Sequence, residues 1–364
     1  MKVSEICKYA PKSNIKARDA CDGGKYVFFT SSADESKRYN AYQHEGEGII
    51  MGTGGNATLH YYDGKYAVST DCIVLLPNEQ IRCKYLYYFF LGNMRVLERG
   101  FKGAGLKHTN KGYIGDIDIG DIPSFERQEK IIGIFDTLQS IIDLRKSEIE
   151  RLDNLIKARF VEMFGSPVSN PMSWEKRTLK EVCIKLNDGS HFSPESFETG
   201  DYKYVTAKNI KFSGFDFSNI TYVPEAVHRP IFDRCNPEFE DVLYIKDGAT
   251  TGVAIVNTLD EEFTLLSSVA LLKQDRSIMN GYFLATLLNN KDMYLNIRNN
   301  MGGAAITRLT IAKLNAIEII VPPIELQNQF AAFVAEVDKS KVAVQKALDE
   351  TQTLFDSLMQ EYFG

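Results

Sequence analysis

The sequence predicts an α+β protein in which one architecture occurs twice: two tandem α/β domains related by a pseudo-twofold, each followed by a long helix, with the two helices pairing as an antiparallel coiled coil. Three observations predict it. Residues 122–165 and 321–364 align without a gap at an offset of 199, from Pro123/Pro322 through Glu126/Glu325 and Gln128/Gln327 to Phe164-Gly165/Phe363-Gly364. Both segments carry apolar residues at alternating spacings of four and three. The stretches before them repeat one order of strand, turn, helix and Gly-rich loop. The expected boundaries are 1–121, 122–165, 166–320 and 321–364.

The helices follow from periodicity. In the first, the ladder runs Ile131, Phe135, Leu138, Ile142, Arg145, Ile149, Leu152, Ile156, Arg159, Met163; in the second, Phe330, Val334, Val337, Lys341, Val344, Leu348, Thr351, Phe355, Leu358, Tyr362. A repeat of about 3.5 residues keeps one stripe facing a partner helix, which is the signature of a coiled-coil seam. Pro123 and Pro322-Pro323 suit a helix entrance, and Gly165 and Gly364 an exit. Such helices exceed what a small domain needs for its own core, and an antiparallel pair suits a domain whose ends lie close together.

The globular stretches echo each other. EGIIMGTGG (47–55), YAVSTDCIVLL (66–76), YLYYFFLG (85–92), GAGLKHTNKG (103–112) and IGDIDIGDIP correspond to EDVLYIKDGATTG (240–252), FTLLSSVALLK (263–273), YFLATLLNN (282–290), MGGAAITRLT (301–310) and LNAIEIIVPP. KYVFFTSS (25–32) corresponds to YKYVTAKNI (202–210). The strand runs are short, aromatic and β-branched, with turn residues between them, so each domain reads as a small, mixed, partly curled sheet with a closing strand.

Composition narrows the function classes. The net charge of −6 divides as +2 over residues 1–121, −1 over the first helix, −3 over 166–320 and −4 over the last helix. Phosphate contacts must then come from local patches or from a basic partner. No stretch approaches the length of a membrane span, and the six scattered cysteines form no CxxC pair, so the reading is a cytoplasmic protein with reduced thiols. A Walker motif, HExxH and a His/Cys metal spacing are all absent. Asn236-Pro237-Glu238-Phe239 reads as a turn, and Asp188 with His191 has no companion nucleophile. The residues suggest no active site, no cofactor and no metal.

Two variable domains, each followed by a helix that opens Pro-x-x-Glu-x-Gln and closes with a bulky aromatic and Gly, resemble the specificity subunit of type I restriction–modification enzymes. The likeness covers essentially the whole chain. It is carried by PSFERQ (123–128), PPIELQ (322–327), NDGSHFSP (187–194) and YVTAKNI (204–210); the first domain lacks counterparts of the last two. The resemblance implies two target recognition domains, each reading one half of a split double-stranded DNA site. It implies helices that act as a ruler and dock two methyltransferase subunits, a motor/nuclease restriction subunit that can join, and a chain that does no chemistry itself. The alternatives are the recognition half of a fused restriction–modification enzyme, and a coiled-coil adaptor without DNA specificity.

Base reading needs side chains with paired donors or acceptors on loops that can enter a groove. In the first domain these are Lys107, His108, Asn110 and Lys111, with Thr53 and Asn56 on the earlier glycine turn. In the second they are Asn187, Asp188, Ser190, His191, Lys208, Asn209, Lys246, Thr250, Thr251, Thr307 and Arg308. The acidic outer face of the last helix (Glu336, Asp338, Asp349, Glu350, Asp356) offers itself to a basic methyltransferase surface.

Overall fold

The computed structural model describes residues 1–299, 301 and 308–364. They form two compact units. The first takes in Met1–Ser147 and Gln345–Gly364, the second Glu148–Val344, so each contains half of each long helix.

In the first unit, strands β1 (Cys7–Tyr9), β2 (Tyr26–Phe29), β3 (Arg38–Tyr39), β4 (His44–Gly52), β5 (Leu59–Val68) and β6 (Cys72–Pro77) make one sheet in the order β1-β6-β4-β5-β2-β3. Only β2 and β5 run parallel, with Phe29 opposite Val68. The sheet is mixed, as the sequence suggests. The run 66–76 is two strands, however, because Ser69, Thr70 and Asp71 turn the chain between them. Ile49, Ile50, Tyr66, Val68 and Val74 are buried in this core. The expected closing strand is reduced to a single bridge, Lys2 with Asp118, flanked by the bonds Val3 N→Ile117 O (3.0 Å) and Ile119 N→Met1 O (2.9 Å).

In the second unit, β7 (Cys183–Asp188), β8 (Tyr202–Val205), β9 (Thr221–Val223), β10 (Val242–Ile245), β11 (Ala254–Val256), β12 (Thr264–Leu265) and β13 (Val269–Gln274) form two sheets. One is antiparallel, in the order β11-β10-β13-β7; the other has the order β9-β8-β12. β8 and β12 are parallel, the counterpart of β2 and β5. Here the closing strand is real: Glu318–Ile320 pairs with Lys176–Thr178. The structure also reveals a repeat the sequence did not: each domain opens with one helical turn, Val3–Ile6 and Leu179–Val182, running straight into a strand, and in each the residue before the turn donates its N–H to a glutamate three places on, Lys2 N to Glu5 and Thr178 N to Glu181 (both 2.7 Å).

The long helices span Phe125–Phe164 and Ile324–Phe363. Their pairing is antiparallel within each unit. In the first, Phe135 meets Phe355 and Phe363, and Arg145 donates to Ala347 O and Thr351 Oγ1. In the second, Lys341 pairs with Asp153 at 2.6 Å, and Phe160 and Phe164 pack edge-on to Phe330. Every ladder position is buried or half-buried, whereas the off-ladder Leu144, Leu155 and Val161 are exposed. The ladder slips one place at each C-terminal end. Phe160 and Phe164 are buried where Arg159 and Met163 are half-buried, and Met359 and Phe363 do the same 199 residues on. A helix of 3.6 residues per turn drifts against a 3.5 repeat, and at these ends the buried face follows the drift to meet a short helix as well as the partner helix: Phe160 and Phe164 also pack on Phe283, and Phe363 on Tyr85 and Phe89.

The Pro-x-x-Glu-x-Gln motif is a joint. Gln128, 1% exposed, accepts from Arg82 N (2.8 Å) and donates to Pro123 O (2.8 Å). Gln327, fully buried, accepts from Asn280 N (2.9 Å) and donates to Ile278 O (3.0 Å) and Pro322 O (2.7 Å). Arg82 and Asn280 are the N-caps of the short helices Cys83–Gly92 and Gly281–Asn289. One amide side chain thus ties each long helix to a short one by satisfying polar groups that burial would otherwise orphan. The repeated Glu126 and Glu325 are exposed in the first helical turn, where a carboxylate favours the positive end of the helix. The far ends are also matched: Phe164 O accepts from Trp174 Nε1 (3.1 Å) and Phe363 O from Asn93 Nδ2 (2.8 Å).

Candidate nucleic-acid interface

In the first unit the glycine turn after β4 and the Gly-rich loop come together. Gly54 bridges His108, Gly55 N donates to Lys107 O (2.9 Å), and Thr109 N donates to Thr53 O (3.0 Å). Gly54 lies against the imidazole: a Cβ there would stand 3.2 Å from His108 Cε1. Asn56, Lys107 and His108 are left exposed. Three of the proposed contacts have structural employment. Asn110 caps the short helix Lys111–Gly115, accepting from Tyr113 N at 3.0 Å. Lys111 stands over the Tyr9 ring at 5.0 Å, and its carbonyl accepts from Tyr9 OH (2.7 Å). Thr53 is half-buried, with its hydroxyl on Asp71 O at 3.0 Å.

In the second unit four segments surround Leu265–Ser268. Ser190 N donates to Leu265 O (2.7 Å) and Leu266 N to Val205 O (3.0 Å); Ala207 N donates to Ser268 Oγ (3.3 Å) and Lys246 N to Ser268 O (2.9 Å). Arg308 bridges Asp247 through its backbone and reaches it again through Nε at 3.3 Å. The NDGSH, TAKN, Lys246–Thr251 and Arg308 segments therefore share one end of the sheet.

Most of the residues chosen there as direct contacts turn out to be framework. Asp188, 3% exposed, lies 3.3 Å from Lys246 Nζ, 3.5 Å from Arg234 and 3.0 Å from His191. Lys246, 2% exposed, also pairs with Asp247 at 2.9 Å. A buried charge must be paired, and these two hold each other. Asn209 locks the turn after β8, accepting from Thr206 N and Oγ1 (both 3.0 Å) and donating to Asp216 O (3.2 Å). Ser190 and Thr251 are buried and bonded to Phe192 O (2.6 Å) and Gly248 O (2.7 Å). Asn187, half-buried, donates to Arg234 O at 3.0 Å. His191, Lys208, Thr250 and Arg308 remain exposed. Thr307 lies outside the described residues.

Sequence reasoning missed Arg234, which contacts both Asp188 and Gly189 O from the end of the helix Glu225–Arg234. It also missed Asp247. Arg234 has no local signal, because Asp188 lies 46 residues away; Asp247 sits beside Lys246 in the chain, but Arg308, its other partner, lies 61 residues on. On the last helix, Glu336, Asp349, Glu350 and Asp356 are exposed, whereas Asp338 is half-buried 3.6 Å from Lys341. Burial raises the Asp338 carboxyl above the ordinary aspartate value. Among the described residues no cluster of His, Cys, Asp and Glu could hold a metal, and no helix is long and apolar enough to cross a membrane.

The family described as type I restriction modification DNA specificity domain matches residues 1–154 and again 171–351. The chain belongs to that family. It is similar to the EcoDI specificity subunit of Escherichia coli, 24% identical over 157 residues that span 43% of this chain and 34% of that protein. It is also similar to the MjaVIII specificity subunit of Methanocaldococcus jannaschii, 22% identical over 333 residues, or 85% of this chain and 78% of that one. In fold it resembles the type I restriction-modification S subunit of M. genitalium, with a TM-score of 0.67 at 16% identity over all of this chain and 95% of that one. A chain from a structure describing complex assembly and conformational transition of the type I system gives a TM-score of 0.53 at 16% identity, over all of this chain and 96% of that one.

Proposed function

We propose that this chain is the DNA-reading subunit of a type I restriction–modification complex. Its recognition domains, 1–121 and 166–320, each read one half of a bipartite duplex target. The helical segments 122–165 and 321–364 fix the gap between the halves and hold two methyltransferase subunits. Motor/nuclease restriction subunits can join, and catalysis belongs to the partners. The observation that carries this reading is a repeated one. In each unit a loop returns to the turn after a central strand and leaves polar groups exposed there: Asn56, Lys107 and His108 in the first, His191, Lys208, Thr250 and Arg308 in the second. In each unit a buried Gln also joins the domain to a helix of 40 residues.

Asp188 holds His191 and Asp247 holds Arg308 in position before any DNA arrives, and preorganisation of that kind lowers the ordering cost of binding. The complex with its methyltransferase subunits is tested on a duplex carrying the site mapped from methylated positions in the host genome. Arg308→Ala and Lys208→Ala should each weaken binding, and each lost phosphate contact should reduce the salt slope by about 1. Unchanged affinity across the salt titration in both variants removes this loop set from the interface.

A further inference from the structure

We propose that Phe192 is a wedge: its ring enters the base stack of the half-site read by the second domain and opens one base step, so that this domain selects its target partly by how readily that step unstacks. The inference rests on the DNA-reading function proposed above and adds a specificity device to it.

Phe192 is 62% exposed. A single exposed apolar side chain is ordinary; the backbone beneath this one is not. A Cβ on Gly189 would run into the Leu265 carbonyl, so the chain lies in contact with the strand end there. Ser190, 1% exposed, is held by Leu265 O on one side and by Ser267 N (2.8 Å) on the other. Its hydroxyl donates to Phe192 O (2.6 Å) and accepts from Phe192 N (3.3 Å). Both backbone groups of Phe192 are therefore tied to a buried anchor, which fixes the direction of its Cα–Cβ bond at the surface.

The neighbours include groups that can donate to phosphates. His191 stands 3.0 Å from Asp188, which Lys246 and Arg234 hold in place. The segments that carry the exposed Lys208 and Arg308 are tied to the same strand end. An apolar tip on an anchored backbone, with the lysine- and arginine-bearing segments tied to the same strand end, matches a duplex, where phosphates flank a base stack that an apolar side chain can open. The first unit shows the same combination on its Gly-rich loop, where Leu106, 68% exposed, precedes Lys107 and His108.

The test uses the full chain with its methyltransferase subunits, and duplexes of the mapped site carrying 2-aminopurine at each step of the second half-site in turn. The wild-type complex should raise the fluorescence several-fold at one step. Phe192→Ala should abolish that rise and weaken retention of the duplex about tenfold, the scale of one lost stacking contact. Phe192→Leu, which keeps a bulky apolar tip, should retain most of both. Phe197→Ala, another exposed ring in the same loop, should change neither. Melting curves and co-purification with the methyltransferase subunits verify that each variant is folded. Fluorescence and affinity unmoved by Phe192→Ala, or an effect equalled by Phe197→Ala, overturns the wedge. Wild-type complex that retains the duplex with no bright step overturns the wedge alone; wild-type complex that retains no duplex overturns the DNA-reading function beneath it.

Discussion

Replacing Gln327 by Ala removes three hydrogen bonds at once: the one accepted from Asn280 N and the two donated to Ile278 O and Pro322 O. The side chain is fully buried, so water does not substitute for the lost partners. At about 1 kcal/mol net per bond the loss is about 3 kcal/mol. The matching change, Gln128→Ala, removes two such bonds and should cost about 2 kcal/mol. The assay is supplied by the sequence. Trp174 is the single tryptophan, and it lies in the second unit, where its indole donates to Phe164 O. Its fluorescence follows the unit that Gln327 holds. For a domain of this size about 1 kcal/mol moves the midpoint by about 2–4 °C, so Gln327→Ala should lower the tryptophan-detected melting temperature by about 6–12 °C. A loss below about 1 kcal/mol, or a larger loss for Gln128→Ala, would refute the view that this repeated amide is the joint between domain and helix.

Two further predictions concern the same framework. Arg145 lies on the helix ladder and donates to Thr351 Oγ1, so a double-mutant cycle of Arg145→Met with Thr351→Val should show a coupling of about 1 kcal/mol in urea unfolding; additive single effects would show that the arginine is only solvated there. His228 is fully buried, stacked on Tyr202 at 3.7 Å and bonded to Thr264 Oγ1 at 2.8 Å, and burial lowers its pKa below the ordinary 6.5. The unfolded chain then binds a proton before the folded one does, so stability should hold above about pH 6.5 and fall as the pH drops from there towards the depressed folded value. His228→Gln should flatten that part of the stability–pH curve, and a curve unchanged by the substitution would assign the acid loss elsewhere.

The helices could be read from the sequence because their signal is local and repeated: the ladder from Ile131 and its copy from Phe330 needed no knowledge of the rest of the fold. The terminal slip to Phe160 and Phe164 could not be read that way, because it depends on which neighbour the last turns meet. The motif glutamines were visible as a repeat, but their partners, Arg82 and Asn280, lie 46 and 47 residues away. The same distance problem governs the candidate interface. NDGSH and TAKN stand out in the sequence, yet Asp188 and Lys246 read there as two separate contacts whereas the fold makes them one buried pair, since composition cannot tell a charge aimed at solvent from a charge aimed at its counterion. Exposure, not residue type, separates His191, Lys208 and Arg308 from that framework.

The central claim is that the paired helices set the spacing of two independently read half-sites. The most direct measurement inserts one heptad, in register, into both helices, between Ser147 and Glu148 and between Val344 and Gln345, which keeps the seam. Seven helical residues add about 10.5 Å, close to three base-pair steps of about 3.4 Å. Sequencing the methylated positions produced by the variant complex should then show both half-sites unchanged and the gap lengthened by about three base pairs. An unchanged gap in an active complex, or altered half-sites, would contradict the account.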